Sequence, residues 1–242
     1  MSLKKHIPNT ITSLNLLAGA VGVILALKGH VDLALPVMLL AAVFDFCDGL
    51  AARLLGAYSP VGKELDSLAD MVSFGVLPSM MMFETMWSAG AGHFSWITLF
   101  PAVMSGVRLA KFNTDTRQGE SFLGLPTPSS ALVAGSLSAF IAMNPESFMA
   151  RWASSPVFLP AVSVVLGLLL VSEIPMFAFK FHKGGKADTI LTIKRTAFLT
   201  VAVLSVIVTL VLRRSWPLAI LLTFSAYIVM NCIFALFPAT RC

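Results

Sequence analysis

Asp45-Phe46-Cys47-Asp48-Gly49-Leu50-Ala51-Ala52-Arg53, then eight residues, then Gly62-Lys63-Glu64-Leu65-Asp66-Ser67-Leu68-Ala69-Asp70: the reading of this chain turns on that stretch. Its four aspartates are a third of all 12 acidic residues in a 242-residue chain that is 57% hydrophobic and only 12% charged. Soluble domains carry about 25% charged residues. With a mean hydropathy of +0.86, the composition specifies an integral membrane protein, where charge at membrane depth is costly and marks a functional site.

A membrane-spanning helix needs ~20 mostly apolar residues. The sequence offers eight such stretches, 10–28, 33–56, 62–84, 94–112, 128–144, 155–179, 194–212 and 216–237, joined by short polar or Gly/Pro-containing links. They predict one all-α transmembrane domain over residues 1–242, without internal repeats. The Lys4-Lys5 start imitates a secretory leader, but the apolar run to Leu27 is long for one and carries Asn9, Thr10, Thr12, Ser13 and Asn15. It reads as a retained first span.

With the N-terminus in the cytosol, eight spans place Lys4, Lys5, Arg53, Lys63, Arg108, Lys111, Arg117, Lys180, Lys183, Lys186, Lys194, Arg195 and Arg241 on the cytosolic side. Lys28, Arg151, Arg213 and Arg214 fall on the far side. This bias puts both termini, and the aspartate segment, on the cytosolic side of the cell membrane. The net charge of +5 suits anionic lipid rather than nucleic acid, because no basic low-complexity arm accompanies it. Cys47, Cys232 and Cys242 match no disulfide framework or zinc spacing, and Cys47 reads as a small apolar filler.

The aspartates fall on the second and third expected spans, around a turn at Ala57-Tyr58-Ser59-Pro60 that Pro60 enforces. A short link makes the two helices antiparallel neighbours. At 1.5 Å per residue, Asp45 and Asp70 lie at matching depth, roughly 18–20 Å from the turn, and Asp48 and Asp66 roughly 12–15 Å from it. The i,i+3 and i,i+4 spacings give each pair one helix face. Four converging carboxylates repel one another unless cations neutralise them. Hard oxygen donors at this density suit Mg²⁺ or Mn²⁺, and two such ions clamp a phosphoryl group for in-line displacement. Gly49, Ala52 and Gly62 permit close approach of a backbone or ligand, and Arg53 suits a phosphate. A cation-conducting site is the competing reading. It requires polar residues to continue deeper along both helices, where Leu33–Phe44 and Met80–Phe83 are apolar.

The segment resembles the signature of the CDP-alcohol phosphotransferases, Asp-x2-Asp-Gly-x2-Ala-Arg-x8-Gly-x3-Asp-x3-Asp, at every fixed position. The resemblance implies a core of six membrane helices, a homodimer, and a divalent-metal site that transfers a phospho-alcohol group from a CDP-linked donor and releases CMP. Under it Asp45, Asp48, Asp66 and Asp70 are metal ligands, Asp70 is also the general base, and Asn9, Thr12, Asp48, Gly49, Ala52, Arg53 and Gly62 bind the CDP moiety.

Flanking segments are similar to the branch of that family that uses CDP-diacylglycerol as donor and L-serine as acceptor: Ile7-Pro8-Asn9-Thr10-Ile11-Thr12, Ser73-Phe74-Gly75-Val76-Leu77-Pro78, Arg108-Leu109-Ala110-Lys111-Phe112-Asn113 and Phe122-Leu123-Gly124-Leu125-Pro126-Thr127-Pro128. Arg108 is the expected partner of the serine carboxylate, with Lys111 and Asn113 beside it. Lys111 departs from the family's usual arginine and lacks the bidentate fork. Glycerol 3-phosphate, inositol phosphate or choline are the alternative acceptors. The resemblance spans residues 5–180, the expected catalytic core, and leaves 190–238 as accessory helices. In the sixth stretch, Glu173 precedes Ile174-Pro175, where a kink is expected, and Phe177, Phe179 and Phe181 read as lipid contacts.

Overall fold

The computed structural model describes residues 6–114, 122–176 and 189–236. Lys4, Lys5, Arg117, Phe177, Phe179, Lys180, Phe181, Lys183, Lys186, Arg241 and Cys242 lie outside the described residues. Helix α1 runs over His6–Leu27, α2 over Val31–Leu55 and α3 over Pro60–Asp70, which continues through a π-helical segment, Met71–Val76, into α4, Leu77–Ser88. A 3₁₀ turn, Gly92–Leu99, leads into α5, Phe100–Thr114. Then come β1 (Phe122–Leu123), α6 (Thr127–Met143), α7 (Phe148–Ala153), α8 (Phe158–Val171), β2 (Pro175–Met176), α9 (Thr189–Val211) and α10 (Pro217–Leu236). Among the described residues the fold is all-helical apart from the two-residue antiparallel pairing of β1 with β2.

Among the described residues, four helices are long and apolar enough to cross a membrane: His6–Leu27, Val31–Leu55, Lys194–Val211 and Pro217–Ala235. The apolar α6 and α8 are shorter. The third and fourth expected spans are continuous rods that change helix type along their length, at Met71–Val76 and after Leu99.

The α2–α3 hairpin is built as its sequence predicts. Gly56 closes α2 in the left-handed conformation (φ 58°), and the Ala57 N–H reaches back to the Ala52 carbonyl at 3.0 Å, the hydrogen bond of a Schellman turn. Ser59 caps α3 by accepting from the Gly62 N–H at 3.0 Å, with Pro60 in the first turn, where its missing N–H costs nothing.

Helix α1 buries a stripe of small or polar residues, Thr12, Asn15, Gly19, Gly22 and Ala26, against the hairpin and the rod that follows it. Small residues let membrane helices approach closely. A Cβ on Gly22 would lie 2.5 Å from Leu77 Cδ2. Helix α4 sits between two apolar clusters. Leu77 and Met81 join residues of α1, α2 and α6, while Met82 and Met86 join α6, α8 and Tyr227 of α10.

The sixth expected span is corrected. Helix α8 ends at Val171, Ser172 is extended (ψ 162°), and Pro175 lies in β2 rather than at a kink. A residue before proline is disfavoured in helical conformation, and the segment finds other partners: the Gly124 N–H donates to the Ile174 carbonyl at 3.0 Å and the Leu125 N–H to the Leu169 carbonyl at 2.9 Å. Glu173 is exposed there.

Gly124 is tightly constrained, with φ 78° and a Cβ position only 2.7 Å from the carbonyl oxygens of Leu170 and Ser172. Gly124→Ala should therefore destabilise the fold by about 1–3 kcal/mol, visible as a lower thermal midpoint of the detergent-solubilised protein.

Candidate active site

Asp45 and Asp48 project from the last turns of α2, and Asp66 and Asp70 from α3. The hairpin brings one carboxylate oxygen from each of Asp45, Asp48 and Asp66 within 4.8 Å of the other two. Asp70 stands outside this trio, one turn further from the hairpin, with its carboxyl in hydrogen-bonding reach of Asp45. Asp48 is buried at 6% exposure. Asp48 Oδ2 and Asp70 Oδ1 are buried without a hydrogen-bond partner. Buried carboxylate oxygens are normally satisfied, so these two orphans, beside three converging hard oxygen donors, fit a divalent cation.

Next to the trio lies a cavity of about 250 Å³ between the starts of α1 and α3 and the end of α2. Asn9, Thr12, Asp48, Gly49, Ala52, Arg53 and Gly62 all line it. The structure thus gathers the seven residues assigned to CDP around one space. A Cβ on Gly49 would meet no atom within 4 Å, so that residue leaves room in the cavity. Gly62 is different: its Cβ would lie 2.8 Å from Asn9 Oδ1 and 2.9 Å from Ser59 Oγ, and glycine is what lets α1 and α3 meet here. Thr12 donates within its helix to the Pro8 carbonyl at 3.0 Å. Lys63, Tyr58 and Ser59 also line the cavity. None stood out in the sequence reading, although their place in the hairpin turn was a signal for them.

The expected acceptor residues divide. Arg108 of α5 is buried and close enough to Asp70 for their charges to interact. One of its terminal nitrogens donates to Thr127 Oγ1 of α6 at 2.8 Å, and its guanidinium carbon lies 5.9 Å from the centre of the Phe112 ring. Its Nε has no hydrogen-bond partner. Asn113 instead ties α5 to α3, donating to Ser67 Oγ at 2.9 Å while its carbonyl accepts from Lys63 Nζ at 3.2 Å. Lys111 is exposed on the last turn of α5. Thr127 and Tyr227, which neighbours Arg108 from α10, carried no spacing signal. Cys47 is partly buried and free.

Residues 5–236 match the CDP-alcohol phosphatidyltransferase family, and the chain belongs to it. A Mycobacterium leprae protein named CDP-diacylglycerol–serine O-phosphatidyltransferase is 35% identical over 177 residues, covering 70% of this chain and 57% of the relative. One of the same name from Bacillus subtilis is 30% identical over 184 residues, 76% of this chain and 97% of the relative. An archaetidylserine synthase from Methanothermobacter thermautotrophicus is 35% identical over 136 residues, 54% of this chain and 56% of the relative. The chain thus spans a little over half the length of the mycobacterial and archaeal relatives.

The crowding of carboxylates has a cost that can be measured without any substrate. Like charges at these separations repel by a few kcal/mol at an effective dielectric of ~20. Asp45→Asn should raise the thermal midpoint of the protein in chelator, by on the order of 1 kcal/mol of stability. An unchanged or lower midpoint would contradict crowding.

Proposed function

We propose that this family member transfers the phosphatidyl group of CDP-diacylglycerol to the hydroxyl of L-serine, giving phosphatidylserine and CMP. The observation that carries the reading is the junction of an aspartate trio with a cavity lined by Gly49, Arg53 and Gly62. The names of the relatives support serine as acceptor. The full signature match and the cavity favour transfer over cation conduction.

Asp45, Asp48 and Asp66, with Asp70 beside them, hold Mg²⁺ or Mn²⁺, two ions in this reading. When bound, the metal offsets the charge that develops on the phosphoryl oxygens. The protein's own groups do the rest. Asn9 and Thr12 from α1, and Asp48, Gly49, Ala52, Arg53 and Gly62 from the hairpin, hold the CDP portion. The exposed Arg53 sits at the cavity mouth, where a pyrophosphate needs a cation. Arg108 offers its unpaired Nε to the serine carboxylate. Lys111 and Asn113 serve the same acceptor, Lys111 from the exposed end of the helix. The serine oxygen attacks the phosphorus carrying the diacylglycerol, a new P–O bond forms, and the P–O bond to CMP breaks in line. Asp70 takes the serine hydroxyl proton. A carboxylate among cations is a weak base, so placement of the attacking oxygen supplies much of the rate.

In the membrane, the eight helical rods act as eight spans of one domain, six of them a catalytic core over residues 5–180 and α9 and α10 accessory, in a homodimer. The aspartate end faces the cytosol, with both termini. Arg53, Lys63, Lys111, Lys194 and Arg195 lie toward that end, and Lys28, Arg151, Arg213 and Arg214 toward the other, the asymmetry of the positive-inside rule.

Purified protein with CDP-diacylglycerol, Mn²⁺ and labelled serine should release CMP and form phosphatidylserine. CMP release only with glycerol 3-phosphate, inositol phosphate or choline would overturn the acceptor assignment. Asp70→Asn should lower kcat at least ~10²-fold with donor binding retained. Gly49→Leu should abolish donor binding with an unchanged thermal midpoint, because its side chain enters the cavity rather than the protein.

A further inference from the structure

The π segment Met71–Val76 begins at the residue after Asp70. In a π turn the hydrogen bonds span five residues instead of four, as in the Leu77 N–H to the Val72 carbonyl. Such turns are uncommon and concentrate at functional sites. The wider turn changes the rotational phase between the face of the rod that carries Asp66 and Asp70 and the face that packs Leu77 and Met81. The direction of Asp70 thus depends on what grips the π segment from outside.

Two helices do so. On one side, Ser73 is fully buried and its Oγ lies 2.7 Å from Asn15 Oδ1 and 3.0 Å from the Asn15 carbonyl oxygen on α1. Ser73 has one hydroxyl proton. Ser73 shares it between the Asn15 side-chain and main-chain carbonyl oxygens, and the Asn15 amide nitrogen is buried without a partner. One turn along α1, a Cβ on Gly19 would lie 2.3 Å from Ser73 Oγ and 2.9 Å from Ser73 Cα, so glycine permits the approach. On the other side, a Cβ on Gly75 would lie 3.1 Å from Ser105 Cβ of α5. Ser105 is one turn before Arg108, and Thr12, which lines the cavity, is one turn before Asn15. The π segment is therefore the point where the donor-side helix, Asp70 and the acceptor-side helix are held in mutual register.

We infer that Asn15 and Ser73 are positioning residues: the hydrogen bond that Ser73 donates to Asn15, admitted by Gly19, fixes the π segment so that Asp70 is aimed at the acceptor hydroxyl. This rests on the role given to Asp70 above. A purely structural pair would add stability to α1 packing without affecting turnover selectively. A positioning pair acts on kcat, because a misplacement of ~1 Å costs up to ~10²-fold.

The test uses Asn15→Ala, Ser73→Ala and the double variant of the full chain, reconstituted with Mn²⁺. Each single variant should lower kcat by about 10- to 100-fold, with KM for CDP-diacylglycerol and Mn²⁺ affinity within about twofold. The double variant should be no worse than the more affected single one, since both remove the same interaction. Backbone amides of residues 71–77 should exchange faster in all three, while those of the α2–α3 turn stay unchanged. Neither Ala variant should lower activity further in an Asp70→Asn background. A rise in donor KM with kcat retained, additive losses, unaltered exchange at 71–77, or loss of the folded bundle would each overturn the inference. If wild-type protein uses an alcohol other than serine, the acceptor assignment fails, and the exchange and double-variant comparisons still decide the positioning role with that alcohol.

Discussion

Four carboxylates held between two helices of an apolar bundle is the constraint around which this molecule is organised. Like charges in such surroundings repel strongly, and no packing of Leu or Met around them relieves that. What holds them together is the covalent hairpin: Gly56 ends one helix, Ser59 and Pro60 start the next, and the aspartates arrive opposite one another because both helices rise at the same pitch. Among the described residues, Arg108 is the only buried cation, and it stands near Asp70, the aspartate outside the trio. The trio is thus left without a buried protein cation, and Asp70 has one as neighbour. Two adjacent carboxylate environments result, which suits a division between holding a metal and handling a proton.

Arranging this requires helices that approach closely at defined points. Association within lipid gains little from apolar burial, because lipid tails are as apolar as the side chains, so small residues and interhelical hydrogen bonds set the geometry. The close contacts at Gly19, Gly22, Gly62 and Gly75 all lie on the elements that frame the site, and three of the four involve a polar partner side chain. Those hydrogen bonds are directional where dispersion contacts are not. A bundle held only by Leu and Met can slide or rotate by fractions of an ångström at small cost. One held through Asn15–Ser73, Arg108–Thr127 and Asn113–Ser67 cannot.

Much of this was legible in the sequence wherever the determining physics is local. Turn chemistry at Ala57 to Pro60 and the helical rise sufficed to bring Asp45, Asp48 and Asp66 together, and the seven residues assigned to the donor do line one cavity. Where a distant partner decides, the sequence was silent or misleading. Nothing in Met71–Val76 advertises a π segment; it depends on α1 and α5 gripping the rod. The sixth stretch reads as one long helix through Pro175, but hydrogen bonds from Gly124 and Leu125 end it at Val171. Thr127 looks like an ordinary helix-start residue until Arg108 reaches it.

The last two helices sharpen the same point. By composition they are apolar additions, and α9 in particular shows a broad exposed apolar surface, as at Leu199, Val203, Leu210 and Val211. Yet α10 is part of the larger apolar cluster through Leu218 and Tyr227, and Tyr227 is buried to 4% exposure beside Arg108 while its ring meets Phe198 of α9 edge-on at 5.8 Å. Asn144, at the end of α6, also bonds to Ser215 at the start of α10. A helix tied at its start to α6 and along its middle to the surroundings of Arg108 restrains the Arg108 guanidinium. Precision at a site is set by the shell that supports it, and here that shell extends past the signature, into the part of the chain whose sequence says least.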